Sequence, residues 1–309
     1  MELAIDLGGT NIKLAVFREG CSEFLWNDKI PAYSNEGIGQ ALSRTKEYLT
    51  GHGFENFTVV GIAIPGIVNV DECKLITVNE KYADAVEFDF SGWTWETYHC
   101  PLVMENDANA ALLGEASYGC ATGIRNAVMM IFGTGIGTAA ILDGRIVRGP
   151  HYRAANLGGH SIIQINGERC NCGQRGCLEA YAGSESFVKR VNRELVTGQS
   201  ALQKSQPITM KQIFESAERG DSFANNQVKN LAEYYSVGIL NMVYAYDPEI
   251  VVLSGGVMNG SKLLLNTLKE KVNSQEWVKN DPVKFVVAEK PDFSVTLGLK
   301  KRMEDLGKE

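Results

Sequence analysis

Two α/β domains facing each other across a cleft are the architecture this sequence predicts, and three features predict it. Each half opens on a strand, a glycine turn and a second strand: "ELAIDLGGTNIKLAVF" near the start and "NAVMMIFGTGIGTAAIL" past the middle. Each half later carries a mostly apolar strand suited to the inside of a sheet, "FTVVGIAIPG" in one and "PEIVVLSGGV" in the other. The 309 residues are ample for two cores, and no long Pro- or Ser-rich linker interrupts them.

Taken in order, the first hairpin is followed by a third strand in "CSEFLWNDKI", then by a helix in "EGIGQALSRTKEYLTGHG", which has helical periodicity and ends at glycine. After the apolar strand comes "CPLVMENDANAALLGEASYG", a strand, a turn and a helix, with Asn106 or Asp107 at the helix N-terminus as a cap. The second half repeats the opening in "NAVMMIFGTGIGTAAILDGRIV": strand, glycine turn, strand, turn, strand. A long helix follows in "SFANNQVKNLAEYYSVGILNMVYAY", then strands in "PEIVVLSGGV" and "VKFVVAE", and a terminal helix in "SVTLGLKKRMEDLGKE". The boundary falls near residues 117–126, which assigns 1–118 to the first domain and 119–292 to the second, with the helix from about 293 to 309 placed back on the first.

Composition narrows the class of function. The chain is 44% hydrophobic and 22% charged, with a formal net charge of −7. An acidic balance argues against general affinity for nucleic acid, which wants a basic face. No apolar run approaches the roughly 20 residues that span a bilayer, and "MELAIDLGGT" lacks the charged and apolar regions of a signal peptide. The expected location is the cytoplasm, with no membrane partner. There, scattered cysteines such as Cys21, Cys73, Cys100 and Cys120 read as small apolar residues, while a tight cluster reads as a metal site.

Two glycine turns carry the first chemical signal. "DLGGTNIK" brings together Asp6, Gly8, Gly9, Thr10 and Lys13; "FGTGIG" brings together Gly133, Thr134, Gly135 and Gly137. Glycine turns let backbone N–H groups converge on an anion, and hydroxyls add donors. Two such loops, one per half, can hold one polyphosphate, and Asp6 at a strand end can take the Mg²⁺ that accompanies a nucleotide. Neither loop has the spacing of a P-loop or of G-x-G-x-x-G. Either loop alone reads equally as a hairpin turn. "ENDAN" likewise has two readings: a helix cap, or an aspartate that accepts a proton from a substrate hydroxyl.

The cysteine cluster is the sharper signal. Cys170, Cys172 and Cys177 stand within one short loop, with His160 just upstream, in the pattern His-x9-Cys-x-Cys-x4-Cys. Three thiolates and one imidazole make a closed tetrahedral site, which is structural zinc chemistry rather than catalytic. Gly173 and Gly176 allow the turns that wrap sulfurs around one ion. Such an ion would fix a loop of low apolar content and hold the Glu179 of "CLEAYAG" in place.

In their order along the chain, "DLGGTNIK", "PGIV", "ENDANAALLGE", "FGTGIG", "CNCGQRGCLEAYAG" and "VVLSGGV" resemble the ROK family of sugar kinases and repressors, over nearly the whole length. The resemblance implies the two-domain actin-like ATPase fold (hexokinase-type, ribonuclease H-like), with domains that close on the substrate. It implies ATP and Mg²⁺ at Asp6, Gly8, Gly9, Thr10 and Lys13, and again at Gly133, Thr134, Gly135 and Gly137. Gly255 and Gly256 would sit near the adenosine. Asp107 matches the catalytic base, Asn106 and Asn79 match sugar contacts, and Glu179 and His160 match residues that touch the sugar, with His160 also a zinc ligand. A hexose or hexose derivative phosphorylated at a primary hydroxyl, O6, is the implied substrate, and a homodimer the implied assembly.

One segment departs from the family. Where many of its kinases read G-E-I-G-H, with a glutamate that holds the sugar, this chain reads "AANLGGH". Counted back from His160 the glutamate position is Leu157; counted forward from Ala155 it is Asn156. Losing a charged acceptor weakens a hydroxyl contact by roughly 1–3 kcal/mol. This argues against glucose and leaves an N-acetylated, epimeric or otherwise altered hexose open. Two alternatives to a kinase are a sugar-binding pseudokinase and a sugar-responsive regulator. The regulators carry an N-terminal winged helix-turn-helix, for which a glycine loop starting at residue 8 leaves no room.

Overall fold

The structure is a computed structural model and describes residues 1–78, 81–196, 198, 200–202, 207–258 and 262–306. The chain divides into two compact units, one of Met1–Ile124, Gly144–Ala154 and Ala288–Glu309, the other of Arg125–Asp143 and Ala155–Val287.

The first unit begins with β1 (Glu2–Leu7), β2 (Asn11–Phe17), β3 (Phe24–Pro31), helix α1 (Ile38–Gly51) and β4 (Val59–Ile64). A small hairpin, β5 (Ile67–Asn69) and β6 (Lys74–Thr77), leads to α2 (Phe90–Tyr98), β7 (Leu102–Asn106) and α3 (Asp107–Tyr118). The sheet order is β3-β2-β1-β4-β7. β1 pairs antiparallel with β2 and parallel with β4. Every residue of β1 and β4 is buried; β4 accordingly reads as an unbroken apolar run, while β1 carries two buried carboxylates, Glu2 and Asp6. β3 lies at the edge, and its residues alternate between partly buried and exposed for most of its length.

The second unit repeats this pattern. It contains β8 (Ala127–Phe132) and β9 (Ile136–Leu142), and the chain leaves it through the two-residue β10 (Arg145–Ile146). Then come α4 (Leu178–Ala182), α5 (Ser184–Glu194), α6 (Met210–Glu218), α7 (Ser222–Tyr246), β11 (Ile250–Ser254), α8 (Lys262–Asn273) and β12 (Lys284–Val287). β8 runs antiparallel to β9 and parallel to β11, and β11 runs parallel to β12. The 25-residue α7 is capped by Asp221, which accepts from Ala224 N at 2.8 Å. α7 also fixes the site: Tyr235 stacks on Phe132 at 3.8 Å and donates its hydroxyl to the Ala182 carbonyl at 3.1 Å.

The last helix, α9 (Ser294–Asp305), belongs to the first unit and packs on α3. Two glycines allow the approach. A Cβ at Gly114 would overlap the Ser294 carbonyl, and one at Gly298 the Ala110 carbonyl. The buried Glu115 carboxylate accepts from Ser294 Oγ and from Cys120 N. Among the described residues no helix is long and apolar enough to cross a membrane.

Candidate functional site

In the first unit, β7 runs into α3 without an intervening turn, unlike the strand, turn and helix the sequence suggested. Asn106 stays extended (φ −67°, ψ 143°), and its Oδ1 accepts from Ala108 N at 3.0 Å and Asn109 N at 3.1 Å. The capping job therefore falls to Asn106, and Asp107 is released from it. Asp107 is the first helical residue; its Oδ1 accepts from Ala108 N at 2.9 Å and from Asn106 Nδ2 at 3.1 Å. Among the described residues Oδ2 makes no hydrogen bond. Burial raises the Asp107 carboxyl above its ordinary value, against the lowering effect of backbone amides and Lys13.

Asp6 is the penultimate residue of β1 in the same unit, buried at 4% exposure. Burial lifts its carboxyl to about 6; Lys13 opposes that rise and Asp107 adds to it. Lys13 Nζ lies 3.5 Å from Asp6 Oδ2 and 3.9 Å from Asp292 Oδ1. The turn after β1 is tight. Gly8 N donates to the Asp6 carbonyl at 3.0 Å, and a Cβ at Gly8 would come within 2.6 Å of the Asn11 carbonyl. The amides of Gly9 and Thr10 are engaged by no described residue, so they are the loop donors open to an anion.

Glu105, which stands in the "ENDAN" motif, gains a partner that no motif marks. Glu105 is 1% exposed; it accepts from Asn106 N at 3.0 Å, from Asn109 Nδ2 at 3.2 Å and from the Arg148 guanidinium. Lys81 lies across the glycine turn, where a Cβ at Gly9 would overlap it. No motif marks Arg148, Lys81 or Asp292, because each reaches the site from far along the chain. Asn79 lies outside the described residues.

In the second unit, the turn of Gly133, Thr134 and Gly135 joins β8 to β9, and Gly137 lies within β9, paired with Ile131. Gly133 N donates to the Gly135 carbonyl at 3.0 Å, and Ile136 N donates to Glu179 Oε2 at 2.7 Å. Gly255 follows β11 with φ +95°, and a Cβ there would overlap the Phe132 carbonyl, so its backbone packs directly on the end of β8. Gly256 has open space beside it. Gly133, Thr134 and Gly256 line one cavity of about 520 Å³, together with Ser184, Met210 and Phe214. That volume suits a nucleoside-sized ligand. The α6 side chains Met210 and Phe214 were not legible as lining, since nothing in their segment marks it.

His160, Cys170, Cys172 and Cys177 come together as the spacing suggested, with all ligand atoms within 4.8 Å of one another. Cys170 Sγ is 3.6 Å from His160 Nδ1, and Cys172 Sγ is 3.6 Å from Cys177 Sγ. A tetrahedron with metal–sulfur bonds of about 2.3 Å has edges of about 3.8 Å, so the four residues fit zinc. Every cysteine is free, so the cluster is not a disulfide. Burial pushes the Cys170 and Cys177 thiols up, and a divalent ion would reverse that.

The segment before this cluster keeps its departure from the family pattern. Gly158–His160 is a single tight turn, tied down by Gly158 N on Thr138 Oγ1 at 2.8 Å. Leu157 is 41% exposed, and an apolar side chain accepts no hydroxyl whichever way it turns.

Paired glycine turns on two similarly ordered sheets, with carboxylates at the strand ends, define the actin-like ATPase class. A ROK hexokinase from Thermus thermophilus has the same fold at a TM-score of 0.79, with 26% identity over 98% of this chain and 99% of that one. A ROK family transcriptional regulator, a homologue of the E. coli MLC protein, matches at 0.81 with 25% identity, over 98% of this chain and 78% of that one. Residues 2–302 match the ROK family, and the chain belongs to it. Its relatives include a glucokinase of Halalkalibacterium halodurans, 32% identical over 284 residues, or 87% of this chain and 84% of that protein. They also include the xylose repressor of Bacillus subtilis, 28% identical over 216 residues; that match takes in 70% of this chain and 53% of the repressor, about half its length.

Proposed function

We propose that the protein is an ATP-dependent kinase of a hexose or hexose derivative, phosphorylating a primary hydroxyl, O6. The observation that carries this reading is Asp107: its neighbour caps α3, its Oδ1 is anchored, and its Oδ2 remains open to a substrate proton. The named glucokinase and hexokinase relatives support it.

In this reading Asp107 Oδ2 takes the proton as the sugar oxygen attacks the γ-phosphorus; the bond to the β-phosphate oxygen breaks, and ADP leaves. Asn106, Asn79, His160 and Glu179 hold the sugar. The amides of the first glycine turn and Lys13 hold phosphate oxygens, as do Gly133, Thr134, Gly135 and Gly137. Gly255 and Gly256 border the adenosine, Gly256 from the cavity it shares with Met210 and Phe214. Asp6 is the residue placed to hold Mg²⁺, which when bound neutralises phosphate charge. A homodimer remains part of the reading.

An assay of ADP release across a panel of hexoses tests it. Release above the sugar-free rate is expected with at least one hexose, and an altered hexose is expected to exceed glucose in kcat/KM because neither Asn156 nor Leu157 offers a carboxylate. A panel in which every sugar stays at the background rate would defeat the kinase reading and favour a sugar-binding pseudokinase.

Acid should silence the enzyme earlier than an ordinary aspartate would. Both Asp6 and Asp107 are raised by burial, and Asp6 reaches about 6. kcat/KM is expected to rise with pH through that region. Stability runs the other way. A raised carboxyl holds its proton more tightly when folded, so its contribution is lost as pH rises from 3.8 to about 6. Asp6→Asn should flatten the fall in urea stability across that window; an unchanged slope would show that Asp6 does not titrate there.

Zinc is expected at one ion per chain. Stripping it with a chelator should raise KM for sugar or unfold the second unit. Active protein with no bound zinc by elemental analysis would remove the metal from the account.

A further inference from the structure

Glu179 was expected to touch sugar, yet the structure puts one of its oxygens to a different use. Oε2 accepts from Ile136 N at 2.7 Å, inside the second glycine turn, and a Cβ at Gly135 would run into the same carboxylate. The exit of α4 and the first residue of α5 brace the turn as well. Ser184 N donates to the Gly133 carbonyl at 3.0 Å, and a Cβ on Gly183 would come within 2.9 Å of the Thr134 carbonyl. The turn from Gly133 to Ile136 therefore lies close against α4, its C-cap Gly183 and the first residue of α5.

The N-terminal end of α4 is tied to the cysteine cluster. Cys177 stands at its N-cap position, and Leu178 N donates to the carbonyl of Ser161, the residue after His160, at 2.9 Å. Gly159 lies so close to the Ile136 carbonyl that a Cβ there would overlap it. The glycine turn is thus gripped from a scaffold that the four ligand residues organise. Among the described residues, Glu179 Oε1 makes no hydrogen bond, so it stays open to a ligand while Oε2 is occupied.

We propose that Glu179 is a positioning residue for the nucleotide: it holds the Gly133–Gly137 turn in its phosphate-binding shape through the Ile136 amide. This rests on the assignment of that turn to phosphate under Proposed function. A turn with the Ile136 amide released has an extra donor to satisfy and more backbone freedom, and both oppose a fixed set of phosphate contacts. Gln offers an amide oxygen at the same place, so it can keep the bond that Ala loses.

The test is MgATP binding by calorimetry, without sugar, on the full-length, zinc-loaded protein. Glu179→Ala is expected to weaken binding about tenfold, the scale of one hydrogen bond to a charged group. Glu179→Gln is expected to stay within about threefold of the unaltered chain, since the Ile136 amide keeps an acceptor. Gly135→Ala, which displaces the carboxylate from the other side, should reproduce the Ala defect and serves if Glu179→Ala does not fold. Zinc content and melting temperature, measured alongside, separate loosening of the turn from loss of the fold. MgATP binding unchanged in both Glu179→Ala and Gly135→Ala, with only the sugar KM raised, overturns the proposal. So does a Gln variant as weak as the Ala variant, which would make the charge rather than the held amide responsible. An unaltered chain that binds no MgATP would instead sink the phosphate assignment on which the proposal stands.

Discussion

Asp107→Asn is expected to lower turnover by about 10²–10⁴-fold, the usual worth of a positioned general base, and to leave the protein folded. The two effects separate because two adjacent residues divide the work. Asn106 caps α3 through Ala108 N and Asn109 N, and the substitution does not touch it. Asn at 107 keeps an oxygen for the Ala108 amide but cannot accept the substrate proton. A carboxylate in the first turn of a helix is worth about 0.3–1 kcal/mol, and burial of Asp107 offsets part of that. The melting temperature should therefore shift little. Turnover is read by ADP release with the best hexose, stability by thermal denaturation. A variant with near-native turnover would mean that the proton leaves by another route. One that lost turnover only because it unfolded would return Asp107 to a capping role.

The largest effect on stability is expected far from this chemistry, at Lys300→Met. Lys300 is fully buried on α9, with Nζ 2.5 Å from Glu2 Oε2 and 3.1 Å from Glu304 Oε1. Glu2 begins β1 and has a side chain only 7% exposed. Removing the lysine leaves that carboxylate buried without its partner, at a cost of about 3–5 kcal/mol. In a protein of this size the melting temperature should fall by about 10 °C. Replacing Glu2 by Leu as well removes the stranded charge, so the double variant should regain much of the loss. Glu304 keeps the Tyr118 hydroxyl at 2.7 Å in either case. A double variant no more stable than Lys300→Met would show that packing of the lysine stem, not the ion pair, holds α9 on β1.

Much of the fold could be read directly because its signals are local. Alternation and apolar runs marked β1 to β4, β8, β9, β11 and β12, and a helical period marked α1, α7 and α9. The hairpin of β5 and β6 and the short helices α4 to α6 escaped, since a few residues hold too little periodic signal. The site divides in the same way. The grouping of His160 with the three cysteines was visible because these residues stand close together along the chain, and the glycine turns because tight turns need particular residues. Glu105 stood in a quoted motif, but its partner Arg148 did not, and nothing nearby in sequence pairs them.

Residue type and near-neighbour spacing were enough to indicate the class of fold, the family and the grouping of His160 with three cysteines, because each rests on chemistry confined to short stretches of chain. Folding in three dimensions settled the rest. It made Asn106 the cap and left Asp107 its open oxygen, brought Asp292 to Lys13, and turned one oxygen of Glu179 onto the Ile136 amide. Those outcomes depend on which distant atoms meet and which polar groups lose water, and no periodicity along a chain encodes either.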